Sequence, residues 1–274
     1  MIIDKVITDT YVLTPGTSQL VVSMPHVGTL IPDALKKHYV ARALDVEDTD
    51  WHLPLLYDFA SELGATILQA RVSRYVIDLN RPPDNAPMYP GASNTELCPT
   101  RFFTGDSLYQ EHQAPDAIEQ GRRLELYWRP YHDQLAETLA QVRARHGHAL
   151  LWDAHSIRQE IPWLFEGRLA GLNLGTADAN SCAASLRQQL AEVLARSTSL
   201  APEFTSVVDG RFKGGYTTRH YGAPSAQIHV AQMEMTQALY MEEFAPFAYA
   251  PERAERVKPV LRALLETMLK WQQS

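Results

Sequence analysis

The 274-residue sequence predicts a single-domain α/β protein whose central sheet is covered by helices on both faces. Three observations predict it. Short apolar runs rich in β-branched residues alternate with longer stretches of helical periodicity. With 45% hydrophobic residues, the chain is long enough to bury one large core. No repeat with a period of about 20–50 residues and no low-complexity segment is visible, which disfavours solenoids, propellers and disordered tails.

Gln19 to Met24 reads as a buried strand that ends at Pro25-His26-Val27-Gly28 and delivers a loop to its C-terminal end. From about Val46 to Leu63, the positions Trp51, Leu55, Phe59 and Leu63 fit one helix, opened by Glu47, Asp48 and Asp50 and stopped by Gly64. Acidic residues at such a start are usually caps. Ala65 to Ala70 and Arg71 to Asp78 read as two strands, the second because Val72, Arg74, Val76 and Asp78 alternate with Ser73, Tyr75 and Ile77. The proline-rich stretch from Asn80 to Asp106 is expected to be a long ordered loop bordering an active site.

Pro115 to about His146 is helical in pattern, with an interruption expected at Arg129-Pro130 because proline lacks the donor and clashes with the preceding turn. His148 to Trp152 is a short strand that stops at Asp153-Ala154-His155-Ser156, the second strand to end in a histidine. Ser181 to Arg196 is a helix, Phe204 to Val208 a strand, and Gly210 to Tyr216 a glycine-rich turn. Gln227 to Met235 is a last strand carrying Glu234, and Arg253 to Gln272 is the final helix. In a sheet of this class, ligands bind in the crevice at the carboxyl ends of the strands. Both strand-terminal histidines are aimed there.

The net charge of -7, with Lys and Arg scattered, provides no basic stripe for nucleic acid. No stretch approaches the roughly 18 uninterrupted apolar residues of a membrane span, and Asp4, Lys5 and Asp9 do not suit a signal segment, so a cytoplasmic protein is expected. Cys98 and Cys182 have no Cys-x-x-Cys spacing and are expected as free, partly buried thiols without a catalytic role. Nothing in the sequence indicates an oligomeric state.

A metal that hydrolyses an amide needs about three N/O ligands and one open position. His26 and His155 suit that role, since both end apolar strands and Asp153 stands where its carboxylate can orient the second imidazole. On the residues alone, this reading weighs about the same as two structural histidines.

The blocks Pro25-His26-Val27-Gly28-Thr29, Asp50-Trp51-His52, Leu56-Tyr57-Asp58-Phe59-Ala60, Ser73-Arg74-Tyr75-Val76-Ile77-Asp78-Leu79-Asn80-Arg81 and Tyr89-Pro90-Gly91 occur in order. Arg129-Pro130-Tyr131-His132, Asp153-Ala154-His155-Ser156-Ile157-Arg158, Asn173-Leu174-Gly175-Thr176, Gly210 through Tyr216, and Thr218-Arg219-His220-Tyr221-Gly222 follow. Together they resemble the N-formylglutamate amidohydrolase (deformylase) family of histidine degradation, over nearly the whole chain. That family is similar to the zinc carboxypeptidase and aspartoacylase clan. The resemblance implies a mixed, mostly parallel sheet of the zinc-carboxypeptidase-like (phosphorylase/hydrolase-like) kind. It also implies one divalent metal ion, zinc in preference to the manganese, cobalt or iron that His and carboxylate ligands also accept, and hydrolysis of the small-molecule substrate N-formyl-L-glutamate to formate and L-glutamate, with water activated by the metal.

By the same resemblance His26 and His155 are metal ligands. The clan's His-x-x-Glu spacing fails because Thr29 occupies the fourth position, so the carboxylate is expected from Asp50 in preference to Asp48 or Glu47; a helix cap is the alternative for Asp50. Glu234 resembles the clan's late catalytic glutamate, a general base that passes a proton to the departing amine, against the alternative of a surface glutamate. Asn80-Arg81 resembles the substrate-carboxylate clamp, because arginine offers the two-pronged donor a carboxylate needs. The substrate carries two carboxylates, so Arg219 and Lys213 are further binding candidates, and Arg74 is the expected oxyanion stabiliser. His132 and His220 are given no role. Ala170-Gly171 stands where the family commonly has Pro-Asp, which leaves open a different acyl amino acid. The competing readings are an aspartoacylase-like hydrolase of another N-acyl acidic amino acid, a carboxypeptidase, and a non-catalytic protein that binds acidic amino acids.

Overall fold

The structure is a computed structural model and describes residues 5–88, 93–201 and 203–272. Its strands are β1 (Val6–Ile7), β2 (Tyr11–Thr14), β3 (Leu20–Met24), β4 (Thr66–Ala70), β5 (Ala149–Ile157), β6 (Leu172–Gly175), β7 (Ser206–Val208) and β8 (Ile228–Thr236). They form one sheet in the order β1-β2-β4-β3-β5-β8-β6-β7. Four of the seven pairings are parallel, so the sheet is mixed and mostly parallel as expected.

The central strands explain the apolar runs. All five residues of β3 and all nine of β5 are buried, as in a strand with neighbours at both edges and cover on both faces. Side chains alternate between the faces. Leu20, Val22, Trp152, Ala154 and Met233 pack on one face against Leu186 and Leu190 of the helix Ala184–Leu200 and against Leu261, Leu264 and Met268 of Pro251–Lys270. Val21, Leu68, Leu151 and Val230 pack on the other against Leu135, Leu139 and Val142 of the helix Arg129–His146. Burying each such leucine is worth about 1.5–3 kcal/mol. Cys98 and Cys182 are free and buried on opposite faces. No helix of the described residues is long and apolar enough to cross a membrane.

Several elements differ from the sequence reading. No continuous helix spans Val46 to Leu63: the segment holds only the short turns Leu53–Leu56 and Asp58–Ser61, and Val46 (φ 44°) and His52 (φ 62°) sit in the left-handed region that interrupts a helix. Arg71 to Asp78 is not a strand. Only Val72 bridges, to Leu30, after which Ser73 turns the chain by accepting from Val76 N–H at its carbonyl and from Tyr75 N–H at its hydroxyl. Arg129-Pro130 does not break the helix, because a five-residue π turn, Leu124–Trp128, precedes the proline and absorbs the misfit. Strand β5 does not stop at Asp153 but runs through His155 to Ile157. Strands β1, β2 and β6, of two, four and four residues, are too short to leave a periodic signature in the sequence. The Tyr89-Pro90-Gly91 block lies outside the described residues.

Candidate active site

Alternation along β5 and β8 builds the site. Asp153 and His155, and Gln232 and Glu234, share the sheet face of Leu151 and Val230, two residues apart on each strand. The parallel register sets Asp153 beside Gln232 and His155 beside Glu234. The lower half of this face is therefore apolar and its carboxyl end polar. His26 follows the end of β3, next to β5. Asp50 arrives from the broken-helix segment because its backbone N–H donates to the His26 carbonyl at 3.0 Å.

His26, Asp50 and His155 converge. His155 Nδ1 is 3.1 Å from His26 Nδ1 and 3.3 Å from Asp50 Oδ2, and His26 Nδ1 is 3.7 Å from the same oxygen. All three residues are buried, and among the described residues they form the one His/Cys/Asp/Glu group able to hold a metal. Each imidazole turns its other nitrogen to a carboxylate: His26 Nε2 lies 2.7 Å from Asp78 Oδ1, and His155 Nε2 lies 3.0 Å from Asp153 Oδ2. Ser23 donates to the remaining oxygen of Asp153. Burial alone would raise the Asp78 carboxyl, but His26, Arg81 and Arg74 hold it well below its ordinary range. Ionised, it accepts the Nε2 proton of His26.

With both Nε2 protons committed, two Nδ1 lone pairs and Asp50 Oδ2 face one another. Three acceptors this close require a positive charge between them. Burial would lower His155, yet Asp153 and Asp50 hold it well above its ordinary value, and burial would raise Asp50, yet hydrogen bonds from His155 and His26 hold it low, so a proton shared between Nδ1 and Asp50 Oδ2 supplies that charge wherever a metal does not. The pocket therefore attracts a cation. A tetrahedral zinc with bonds of about 2.0–2.1 Å has edges of roughly 3.3 Å, close to the three separations above. The donor set and its spacing fit a divalent metal.

Glu234 is buried beside this group, and its backbone carbonyl is pinned by Asn173 Nδ2 at 3.0 Å. Burial pushes its carboxyl up to about 8, with Asp50 adding to the rise and His155 and Arg74 opposing it. Arg74 is also buried; it donates to Asp78 Oδ2 at 2.9 Å, lies 3.7 Å from Asp50 Oδ1 and covers the Phe103 ring. Asn80 accepts from Thr217 N–H at Oδ1, and its Nδ2 is 3.1 Å from His155 Nε2 and 3.3 Å from Gln232 Oε1. A Cβ on Gly215 would meet the Asn80 amide at 2.3 Å, so only glycine fits there. Arg81 donates to Thr95 through Nε and Nη2 and to the Asn80 carbonyl through Nη1. His26, Arg74, Asn80, Arg81, His155 and Glu234 line one recess.

Other candidates lie elsewhere. Lys213 pairs with Asp178 at 2.9 Å, and Arg219 is exposed and donates to the Gly214 carbonyl; neither lines the recess, because Gly214 (φ 111°) turns the chain so that backbone faces Asn80 there. Asp48 is held by Tyr75, the Phe103 N–H and Arg158, and Glu47 by Arg42 and Arg158. Asp50 is no helix cap: it accepts from Ser156 N–H, and the helix that follows starts after His52 without a side-chain cap. His132 bonds the Leu79 carbonyl and Tyr221, and His220 stacks on Tyr216. Ala170-Gly171 leads into β6 and does not line the recess. Sequence reasoning missed Asp78, Gln232 and the apolar walls Phe103, Leu164 and Phe212. Asp78 had a signal in its place within the Arg74 to Arg81 block.

A model of the family described as N-formylglutamate amidohydrolase matches residues 18–241. The N-formylglutamate deformylase of Pseudomonas aeruginosa is 49% identical over 93% of this chain and 94% of its own, and that of Pseudomonas putida is 47% identical over the same shares. The crystal structure of an N-formylglutamate amidohydrolase from Ralstonia eutropha has the same fold, with a TM-score of 0.73 at 24% identity, covering 95% of this chain and 98% of that one. On the family match and the two close relatives, the chain belongs to the N-formylglutamate amidohydrolase family.

Proposed function

We propose that the protein hydrolyses N-formyl-L-glutamate to formate and L-glutamate, the step of histidine degradation that the family resemblance implies, with zinc held by His26, Asp50 and His155. The observation that carries the reading is the convergence of two Nδ1 atoms and Asp50 Oδ2 beside Glu234. The names of the two Pseudomonas relatives support the substrate.

Bound there, a zinc ion supplies a Lewis acid that polarises the formyl carbonyl and acidifies water. The chain's own residues do the rest. Asp78 and Asp153 keep the Nε2 protons, so both Nδ1 lone pairs point inward. Glu234, whose carboxyl burial raises but a divalent cation beside it would return to the ionised form, takes a proton from the attacking water and returns it to the departing amino nitrogen. Arg74 offers positive charge to the oxygen that becomes negative. Three of the five N–H groups of Arg81 are committed to Thr95 and Asn80, and the two left form a fork for a substrate carboxylate. Phe103, Leu164 and Phe212 wall the recess and exclude bulk water.

The test is formate release from N-formyl-L-glutamate by purified protein, abolished by a chelator and restored by zinc. Equal release of acetate from N-acetyl-L-glutamate would remove the formyl preference. Undiminished glutamate binding without turnover on either substrate would make the protein a binding relative.

A further inference from the structure

We infer that Gln232 reads the acidic side chain of the substrate, its amide nitrogen donating to the side-chain carboxylate of the acyl amino acid. The inference rests on the reaction proposed above and adds a specificity-determining residue to it. Gly215 N–H lies 2.8 Å from one terminal atom of Gln232, and a backbone N–H can only donate, so that atom is the carbonyl oxygen Oε1. The flip of the amide is thereby fixed. Asn80 fills the second lone pair: Thr217 N–H claims its Oδ1, which leaves Nδ2 to approach Gln232 Oε1 at 3.3 Å.

Gln232 Nε2 is left with two N–H groups. Gln232 is 2% exposed and lines the recess, and among the described residues Nε2 has no acceptor. On a side chain this enclosed, an amide nitrogen without a protein acceptor opens only onto the recess and takes its partner from water or a ligand there. Gln232 and Glu234 stand two residues apart on one face of β8, about 6.6–6.8 Å along the strand. That span is comparable with the reach from the scissile carbonyl of an acyl glutamate to its side-chain carboxylate. A neutral donor also suits this position better than a cation. Asp153 faces Gln232 across the register and would capture a lysine or arginine, whereas an amide stays available to the ligand.

The test compares kcat/KM of the zinc-loaded parent and of Gln232→Glu on N-formyl-L-glutamate and N-formyl-L-glutamine. This substitution keeps an acceptor for Gly215 and turns the donor into a carboxylate. The acidic substrate should lose about 100-fold and the amide substrate less than about tenfold, since the latter can donate to the new carboxylate. Gln232→Met, uncharged and similar in volume, should cut the preference for N-formyl-L-glutamate over N-formyl-L-methionine by about 10–100-fold. Parallel losses on both members of each pair, at unchanged zinc content, would overturn the assignment and leave Gln232 as a support for Gly215. If the parent turns over no N-formyl amino acid, the proposed reaction fails instead. The calorimetric affinities of parent and variants for L-glutamate and L-glutamine then decide: a shifted ratio sustains the role of Gln232, and an unshifted one ends it.

Discussion

The backbone N–H of Asp50 donates to the carbonyl of His26 at 3.0 Å, and the side chains of the same two residues meet again with Asp50 Oδ2 3.7 Å from His26 Nδ1. A main-chain bond thus does what a short sequence spacing would otherwise do, seating a carboxylate beside a histidine from a distant part of the chain. Ser156 N–H holds Asp50 Oδ2 from the β5 side at 3.1 Å, and Arg74 approaches its other oxygen. The carboxylate is therefore oriented from three directions before any ligand arrives.

Asp50→Asn keeps this shape and removes the charge. Zinc affinity should fall by about 100-fold or more, beyond the roughly 10–100-fold typical of a residue that only supports a ligand. Asp48→Asn and Glu47→Gln should leave zinc content unchanged, because both acids are engaged by arginines away from the histidines. Metal analysis after dialysis checks both, and a zinc-free Asp48 variant beside a zinc-replete Asp50 variant would reassign the third ligand.

Asp78 touches no metal position, yet it holds His26 Nε2 at 2.7 Å and the Arg74 guanidinium at 2.9 Å. Asp78→Asn frees the imidazole to rotate and to change tautomer. A chelator competition should show zinc bound about 10–100-fold more weakly. Parent-like affinity would mean that packing alone orients His26.

Part of this site is legible in the sequence and part is not, for physical reasons. His26, His155 and Glu234 stand out because apolar runs lead to or carry them, and in parallel strands such positions gather at one end of the sheet. Asp50 is readable only against a competing cap, since acidic residues before an apolar stretch look alike whether they face a helix or a histidine. Asp78 hides in an alternation that imitates a strand, although Ser73 turns the chain and puts Arg74 and Asp78 together as an ion pair. Lys213 and Arg219 look like substrate cations in a glycine-rich turn. Where they point depends on the left-handed Gly214 backbone, which no residue pattern encodes. Strand β6 has only four residues, too few for periodicity to register, although its Asn173 pins Glu234.

Glu234→Gln preserves volume and leaves the three ligand candidates untouched. Zinc should remain bound while kcat falls by about 10²–10⁴-fold, the usual worth of a general base. Single-turnover formate release checks it, and parent-like turnover would move the base elsewhere.

Arg81→Lys retains charge but loses the fork that divides its donors among Thr95, Asn80 and the recess. A lost charge-assisted hydrogen bond is worth about 1.5–3 kcal/mol, so kcat/KM should drop by roughly 10–100-fold, chiefly through KM. Steady-state kinetics with N-formyl-L-glutamate decides; a change confined to kcat would place the carboxylate clamp on another residue.

His132 sets part of the acid limit of the fold. It is buried between the Leu79 carbonyl, 2.8 Å from Nε2, and the Tyr221 hydroxyl, 3.0 Å from Nδ1, and burial lowers its imidazole to about 4, with His220 adding to the fall and Leu79 opposing it. The unfolded chain, with an ordinary histidine near 6.5, binds more protons between these values than the folded chain does, so stability rises with pH across that window. The contribution is complete above about pH 6.5 and is lost as pH falls toward 4, amounting to on the order of 2 kcal/mol between pH 7 and 4.5. His132→Gln keeps a donor for Leu79 and does not titrate. Urea unfolding of parent and variant at both pH values should show the variant losing roughly 2 kcal/mol less on acidification, the contributions of other acids cancelling in the comparison. Equal losses in the two proteins would mean that His132 titrates as an ordinary histidine.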